Sequence, residues 1–335
     1  MERTMRYGNY RFKCRLESEA KLPFYKGSTF RGVFGHALKR VVCALKLREC
    51  ADCMLRESCL YSLVFENDRT HTNAVSNMSL RGAERRSNPQ ENEEAERRGT
   101  PLPPHPFVIE PPLDAERRFR SGERFECSLI LFGEANEKLP YFVYAFEQMG
   151  NIGIGGRVNG DRGKFTLEEV KAGGRVVYSE GERKLIKTNG LETLSLSVPE
   201  SWAGALRVTL ETPLRLKFEN RLTAELPFHV LVRAVLRRVS SLFRAFGNGE
   251  PDLDYKGLVR KAETVRVVHS SLRWFDWERY SNRQNTRMFM GGIIGSITYE
   301  GDLEKYLPLL ELASKVHIGK QTTFGMGKVA WKIGG

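Results

Sequence analysis

An α+β fold made of two successive strand–helix–strand–strand–helix–strand units is predicted by this sequence, and three observations predict it. A glycine phrase occurs twice: Ile154-Gly155 precedes Gly163-Lys164, and Ile318-Gly319 precedes Gly327-Lys328 at the same spacing. Each copy follows an apolar stretch opening with Leu-Pro, at Leu139-Pro140 and at Leu307-Pro308. Alternating and 3.6-period apolar patterns then fall in the same order on either side of a polar stretch over 179–203. Repetition of helix, glycine loop and strand is the mark of two related modules. The order βαββαβ is that of tandem ferredoxin-like (RRM-like) domains, here with Gly-rich loops and a Cys-rich insertion. That order hosts many functions and names none of them.

In the first unit, residues 1–178, Tyr10, Phe12, Cys14 and Leu16 alternate with Arg11, Lys13 and Arg15, which gives a strand with one buried face. After Pro23, Ser28 is placed to cap a helix running to Leu45. Its apolar positions Phe30, Val33, Phe34, Ala37, Leu38, Val41, Val42 and Leu45 follow the helical period. Residues 68–104 are polar, charged and unpatterned, and read as a mobile insert. Strands are expected over Phe125–Phe132 and Phe165–Val170, with a helix over Asn136–Met149 between them.

The second unit, residues 204–335, repeats the scheme. Leu206–Phe218 alternates as a strand and Pro227–Phe246 is a strongly periodic helix. Thr264–Trp277 and Met288–Tyr299 form a strand pair, Leu303–Val316 a helix, and Lys328–Ile333 a last strand. Between these last two lies the second glycine loop, residues 316–328. Glycine serves where the chain turns at positive φ or where a backbone approaches closely. Each loop alone is also an ordinary tight turn; two at matching spacing beside Lys and Arg point to phosphate-backbone contact.

The 335 residues suffice for two domains with substantial cores. Lys plus Arg number 53 against 41 Asp plus Glu, a net charge of +12 that fits a polyanionic partner. No stretch approaches the ~20 continuous apolar residues of a membrane span, so no membrane partner is expected. The start Met1-Glu2-Arg3-Thr4 lacks the apolar run of a signal peptide. A cytoplasmic protein with reduced or metal-bound cysteines is therefore expected.

Several segments then occur in order: Phe30-Arg31-Gly32-Val33-Phe34-Gly35-His36-Ala37-Leu38, Pro104-His105-Pro106-Phe107-Val108, and Asp276-Trp277-Glu278-Arg279-Tyr280-Ser281-Asn282-Arg283-Gln284. Gly291-Gly292-Ile293-Ile294-Gly295 and Val316-His317-Ile318-Gly319-Lys320-Gln321-Thr322-Thr323-Phe324-Gly325-Met326-Gly327-Lys328 complete the set. Together they resemble the CRISPR-associated endoribonucleases that cut precursor repeat RNA into guide units, within the repeat-associated mysterious protein (RAMP) superfamily. The resemblance covers most of the chain apart from 68–100. It implies tandem ferredoxin-like domains, RNA as partner, no catalytic cofactor, and products ending in a 2′,3′-cyclic phosphate. Other CRISPR effector subunits are further partners it allows, and a non-catalytic RAMP subunit that holds guide RNA is the alternative function.

Metal-independent RNA cleavage needs a base for the 2′-hydroxyl, in-line geometry, charge stabilisation at phosphate and a proton for the leaving 5′-oxygen. His36 lies opposite the apolar stripe of the first helix, with Lys39 and Arg40 three and four residues on. These three are the candidate catalytic set, and Tyr25 and Lys26 flank the helix start as candidate assistants. The opposing reading is a solvated histidine on a basic face, with Tyr25 a packed aromatic. For RNA contact the candidates are Arg157, Arg162 and Lys164 in the first loop, with His317, Lys320, Gln321, Thr322, Thr323 and Lys328 in the second. His317 is equally suited to a turn-stabilising hydrogen bond. Arg233 and Arg237 form a stripe on the Pro227–Phe246 helix. Arg279 and Arg283 alternate with Trp277 and Tyr280 at a hairpin tip, where loose bases would stack.

Cys43, Cys50, Cys53 and Cys59 place four thiols within 17 residues. A Cys-x2-Cys pair with two flanking cysteines suits a structural zinc, and an iron–sulfur cluster is the alternative. Four reduced, unliganded cysteines are the plainer reading. Cys14 and Cys127 sit on strands as core residues.

Overall fold

The computed structural model describes residues 2–46, 49–66, 103–186, 191–196, 204–218, 223–281 and 286–334. The insert expected over 68–104 lies almost wholly outside the described residues, as does Arg283. In the first half the order is β1 (Met5–Leu16), α1 (Gly27–Val42), β2 (Phe107–Glu110), β3 (Arg124–Phe132), α2 (Leu139–Ile152) and β4 (Phe165–Ala172). The sheet runs β2-β3-β1-β4, all antiparallel, with strand Arg175–Ser179 added beyond β4. The second half follows with β5 (Ala205–Leu214), α3 (Phe228–Phe246), β6 (Arg266–Ser270), β7 (Arg273–Ser281), β8 (Thr286–Glu300), α4 (Leu307–Val316) and β9 (Val329–Gly334). Its sheet runs β6-β8-β5-β9, and β7 also pairs with β8. Both halves therefore carry the ferredoxin-like strand order, the fold the sequence predicts.

The expected element ends shift for local reasons. α1 begins at Gly27 with Lys26 as its cap, not Ser28, and stops at Val42 because Cys43 is extended. α2 and α4 begin at Leu139 and Leu307, since Pro140 and Pro308 take the first helical turn, where a missing N–H is harmless. Thr264–Trp277 divides into β6 and β7. The first half also reaches past residue 178: Leu194 pairs with Met5 and Glu192 with Tyr7, so part of the polar stretch returns to the first sheet.

β1 shows why the halves pack together. Tyr10, Phe12, Cys14 and Leu16 point to the core under α1 and α2. Met5 and Tyr7, of opposite parity, point to the other face and join the core of the second half. Val108, Ile130 and Phe132 do the same from β2 and β3, against Leu231, Val235 and Phe243 of α3. Arg238 of α3 lies over the Phe132 ring at 5.5 Å and donates to the carbonyls of Val316 and His317 at the end of α4. No helix among the described residues is long and apolar enough to cross a membrane.

Candidate RNA-processing site

The second glycine loop does not face solvent. It wedges between the halves, against α1 and the end of β2. Gly27 opens α1 directly on this loop; a Cβ there would stand 1.9 Å from the Phe324 carbonyl oxygen. The Tyr25 hydroxyl donates to that same oxygen at 2.8 Å, and its ring packs on Trp277 at 4.8 Å. Arg31 donates from Nε to Thr323 Oγ1 at 3.0 Å, with its guanidinium over the rings of Phe324 and Phe65. Gly327 is required by the loop itself, at φ 76° with the Ile318 oxygen 1.8 Å from its notional Cβ.

At the centre of this joint lies a buried charge cluster. His317 is fully buried at φ 56°, with Nδ1 3.0 Å from the Met326 carbonyl and Nε2 2.8 Å from Glu110 Oε1. Lys328 Nζ stands 3.2 Å from the same carboxylate oxygen and 3.6 Å from Glu211. Burial by itself would raise the Glu110 pKa, but His317 and Lys328 outweigh it and hold the carboxyl down at about 2. Glu110 ends an apolar strand, a lone carboxylate between Ile109 and Pro111, and that was the one sequence signal for it.

This geometry corrects several expectations. His317, Thr322 and Thr323 are buried and half-buried Lys328 is paired with Glu110, where an accessible loop was expected. Gln321 is half-buried in the left-handed region at φ 63°. Lys320 is half-buried too, with its N–H given to the Arg215 carbonyl. Tyr25 is packed, and burial pushes its phenol well above the usual range. Lys26 is buried as well, paired with Asp114 Oδ1 at 3.1 Å and donating to the Asp114 carbonyl. Both were expected beside the helix start as accessible groups; both are buried and partnered instead. Trp277 packs with Tyr25, Met290 and Met326 in a small separate core and offers no stacking face. His105, outwardly a loop residue between prolines, donates from Nδ1 to the Val64 carbonyl at 2.9 Å; burial, with Arg31 adding to it, lowers its pKa to about 4.

What remains outside is informative. On α1, Gly32, His36 and Arg40 are exposed and lie one turn apart, so they form one ridge. Nothing stands within 4 Å of the Gly32 Cβ position. Lys39 leaves that ridge: it hydrogen-bonds Cys50 and lies over the Tyr61 ring at 5.4 Å. Burial works against its charge, but Cys50, Tyr61 and Glu49 together outweigh it and the Lys39 pKa is raised. The first glycine loop is an exposed hairpin, Ile154–Val158 with Asp161–Gly163, turning at Asn159 and Gly160 with φ 51° and 94°. Arg157, Arg162 and Lys164 project from it into solvent. Arg233 and Arg237 are exposed on α3. Arg279 lies in β7, where only its backbone is described.

A family model described as an N-terminal domain matches residues 5–190, more than half of the chain, and the model of CRISPR-associated endoribonuclease Cas6 matches residues 208–329. The chain belongs to the family defined by that N-terminal domain, and its second half is similar to the CRISPR-associated endoribonuclease Cas6. An uncharacterized protein of Archaeoglobus fulgidus is 26% identical over 323 residues, 95% of either chain. Among solved structures, a partial Cas6-RT-Cas1–Cas2 complex superposes with TM-score 0.53 at 13% identity over 98% of this chain. This chain spans only 46% of that larger one. A Cas6 product complex matches with TM-score 0.52 at 16% identity, over 97% of this chain and 100% of the other. A Thermus thermophilus Cas6 matches with TM-score 0.50 at 14% identity, over 98% and 99%. At these identities the likeness to solved structures carries the Cas6 fold.

Proposed function

We propose that this protein cuts CRISPR precursor RNA within the repeat by metal-independent attack of a 2′-hydroxyl, leaving a 2′,3′-cyclic phosphate. The observation that carries the reading is the exposed ridge Gly32, His36 and Arg40 on a helix whose opposite face is core. The bare Gly32 lets a phosphodiester lie against the helix backbone. His36 then takes the 2′-hydroxyl proton, the 2′-oxygen bonds to phosphorus as the P–O5′ bond breaks, and the leaving 5′-oxygen takes a proton from water. Arg40, one turn on, stabilises the charge that develops on the non-bridging oxygens. Arg157, Arg162 and Lys164 on the hairpin, with Arg233 and Arg237, hold phosphates along the strand and set its register without reading bases. Buried Tyr25, Lys26 and His317 act at one remove, fixing where α1 starts.

End-labelled repeat RNA incubated in EDTA tests this, with His36→Ala and a 2′-deoxy substrate alongside. One cut, lost with the deoxy substrate and lost with His36→Ala, is the expected result. Cleavage that survives the 2′-deoxy substitution would sink the mechanism. The second reading, an RAMP subunit that holds guide RNA and cuts nothing, is favoured by one observation: Tyr25, Lys26 and Lys39 are all turned away from the ridge. Tight binding without cleavage would select it.

A further inference from the structure

The cysteines take no part in the function proposed above, yet their placement is specific. Cys43 ends α1 in an extended conformation, Cys50 opens the short turn Cys50–Asp52, Cys53 closes that turn, and Cys59 caps the helix Leu60–Phe65. All four side chains line a single small pocket, completed by Lys39, Arg56, Tyr61 and Ser62. None is in a disulfide. Lys39 hydrogen-bonds Cys50. Ser62 is fully buried, and its hydroxyl has no hydrogen-bond partner. A buried hydroxyl without an acceptor is costly, and thiolate sulfurs are the acceptors within this pocket.

We propose that Cys43, Cys50, Cys53 and Cys59 bind one structural Zn2+. Four thiolates are a soft tetrahedral set that leaves no open coordination position, and no carboxylate lines the pocket to favour a harder ion. Four thiolates around Zn2+ carry a net charge of −2, which the Lys39 and Arg56 cations at the pocket offset. The Ser62 hydroxyl and the Lys39 ammonium then donate to sulfur, the outer shell that orients metal ligands. Among the described residues no three potential ligands are grouped so as to hold an ion as they stand. Binding must therefore draw the sulfurs inward, by rotation between staggered side-chain rotamers and contraction of the loop. The ion would fix the far end of α1, one turn beyond Arg40, to the helix Leu60–Phe65.

The test uses the full chain, purified without a histidine tag, and measures zinc and iron by mass spectrometry of the intact sample. One equivalent of zinc is expected, released by a mercurial that blocks thiols. Cys50→Ser and Cys53→Ser should lose it, and Cys127→Ala, a core cysteine outside the pocket, should keep it. If the serine variants fail to fold, wild-type protein refolded with Co2+ is expected to show the intense visible bands of a tetrahedral tetrathiolate. Folded wild-type protein that holds no zinc, and takes up neither Zn2+ nor Co2+, overturns the site. So does iron with acid-labile sulfide, or a disulfide among these four residues. None of these readouts depends on RNA cleavage, so the site and the proposed activity stand or fall separately.

Discussion

His317 Nε2 lies 2.8 Å from Glu110 Oε1, a contact across 207 residues of sequence that ties the second glycine loop to the end of β2. Glu110→Ala leaves the buried imidazole and the half-buried Lys328 ammonium beside a void. Breaking a buried pair in this way costs about 3–5 kcal/mol, so chemical denaturation should show a loss of that order. The pH dependence has a definite sign. The Glu110 pKa is depressed to about 2 when folded, so its contribution is complete above the ordinary carboxylate value near 4.5 and is lost as pH falls from there toward 2. In Glu110→Gln that acid slope should become shallower, Glu168 and Glu250 supplying what remains; a wild-type slope in the variant would refute the coupling.

His105 titrates in a separate window. Its folded pKa, about 4, lies below its ordinary value of 6.5, so its contribution is complete above pH 6.5 and is lost as pH falls from there toward 4. Stability measured between pH 6.5 and 4.5 should decline in the wild type and flatten in His105→Asn. The window above Glu110's isolates the effect.

Two glycines of one helix should respond in opposite directions. Gly27→Ala drives a methyl into the Phe324 carbonyl and should destabilise the protein. Gly32→Ala meets open space and gains about 0.5–1 kcal/mol from better helix propensity. If RNA lies against the ridge, Gly32→Ala should nonetheless slow cleavage. A variant that is both more stable and fully active would move the scissile phosphate off α1.

The exposed hairpin should behave as a phosphate clamp. Arg157→Ala, Arg162→Ala and Lys164→Ala are each expected to weaken repeat RNA uniformly, and each lost contact with a single strand should lower the log–log salt slope by about 0.7. Lys328→Ala should lower stability and leave that slope unchanged, because Lys328 is engaged by Glu110.

The periodic parts of the fold were legible. Both βαββαβ units could be read from alternation in β1, from the apolar stripe of α3 and from the Leu-Pro helix starts. The opposite fates of the two glycine loops were not. Glycine spacing encodes where the backbone takes positive φ, and both loops have such positions at matching places, Gly155 and Gly319. It does not encode what packs there: Arg157 meets solvent, whereas Thr323 meets Arg31 from 292 residues away. Tyr25 and Lys26 looked available because their partners, the Phe324 carbonyl and Asp114, are remote in sequence. The exposure of His36 was legible because it follows from one helix alone.

The contact between Tyr25 and Phe324 sets an order of events during synthesis. The platform on which α1 begins is translated 299 residues after the tyrosine that sits on it. Until then the nascent first half carries Glu110 without Lys328 and lacks the second-half core that covers Met5, Tyr7 and Val108. A ribosome-bound fragment would thus hold His36 on a helix whose first turn has nothing to rest on. Under the function proposed above, competence to act on RNA would then arrive only with the last residues of the chain to be made.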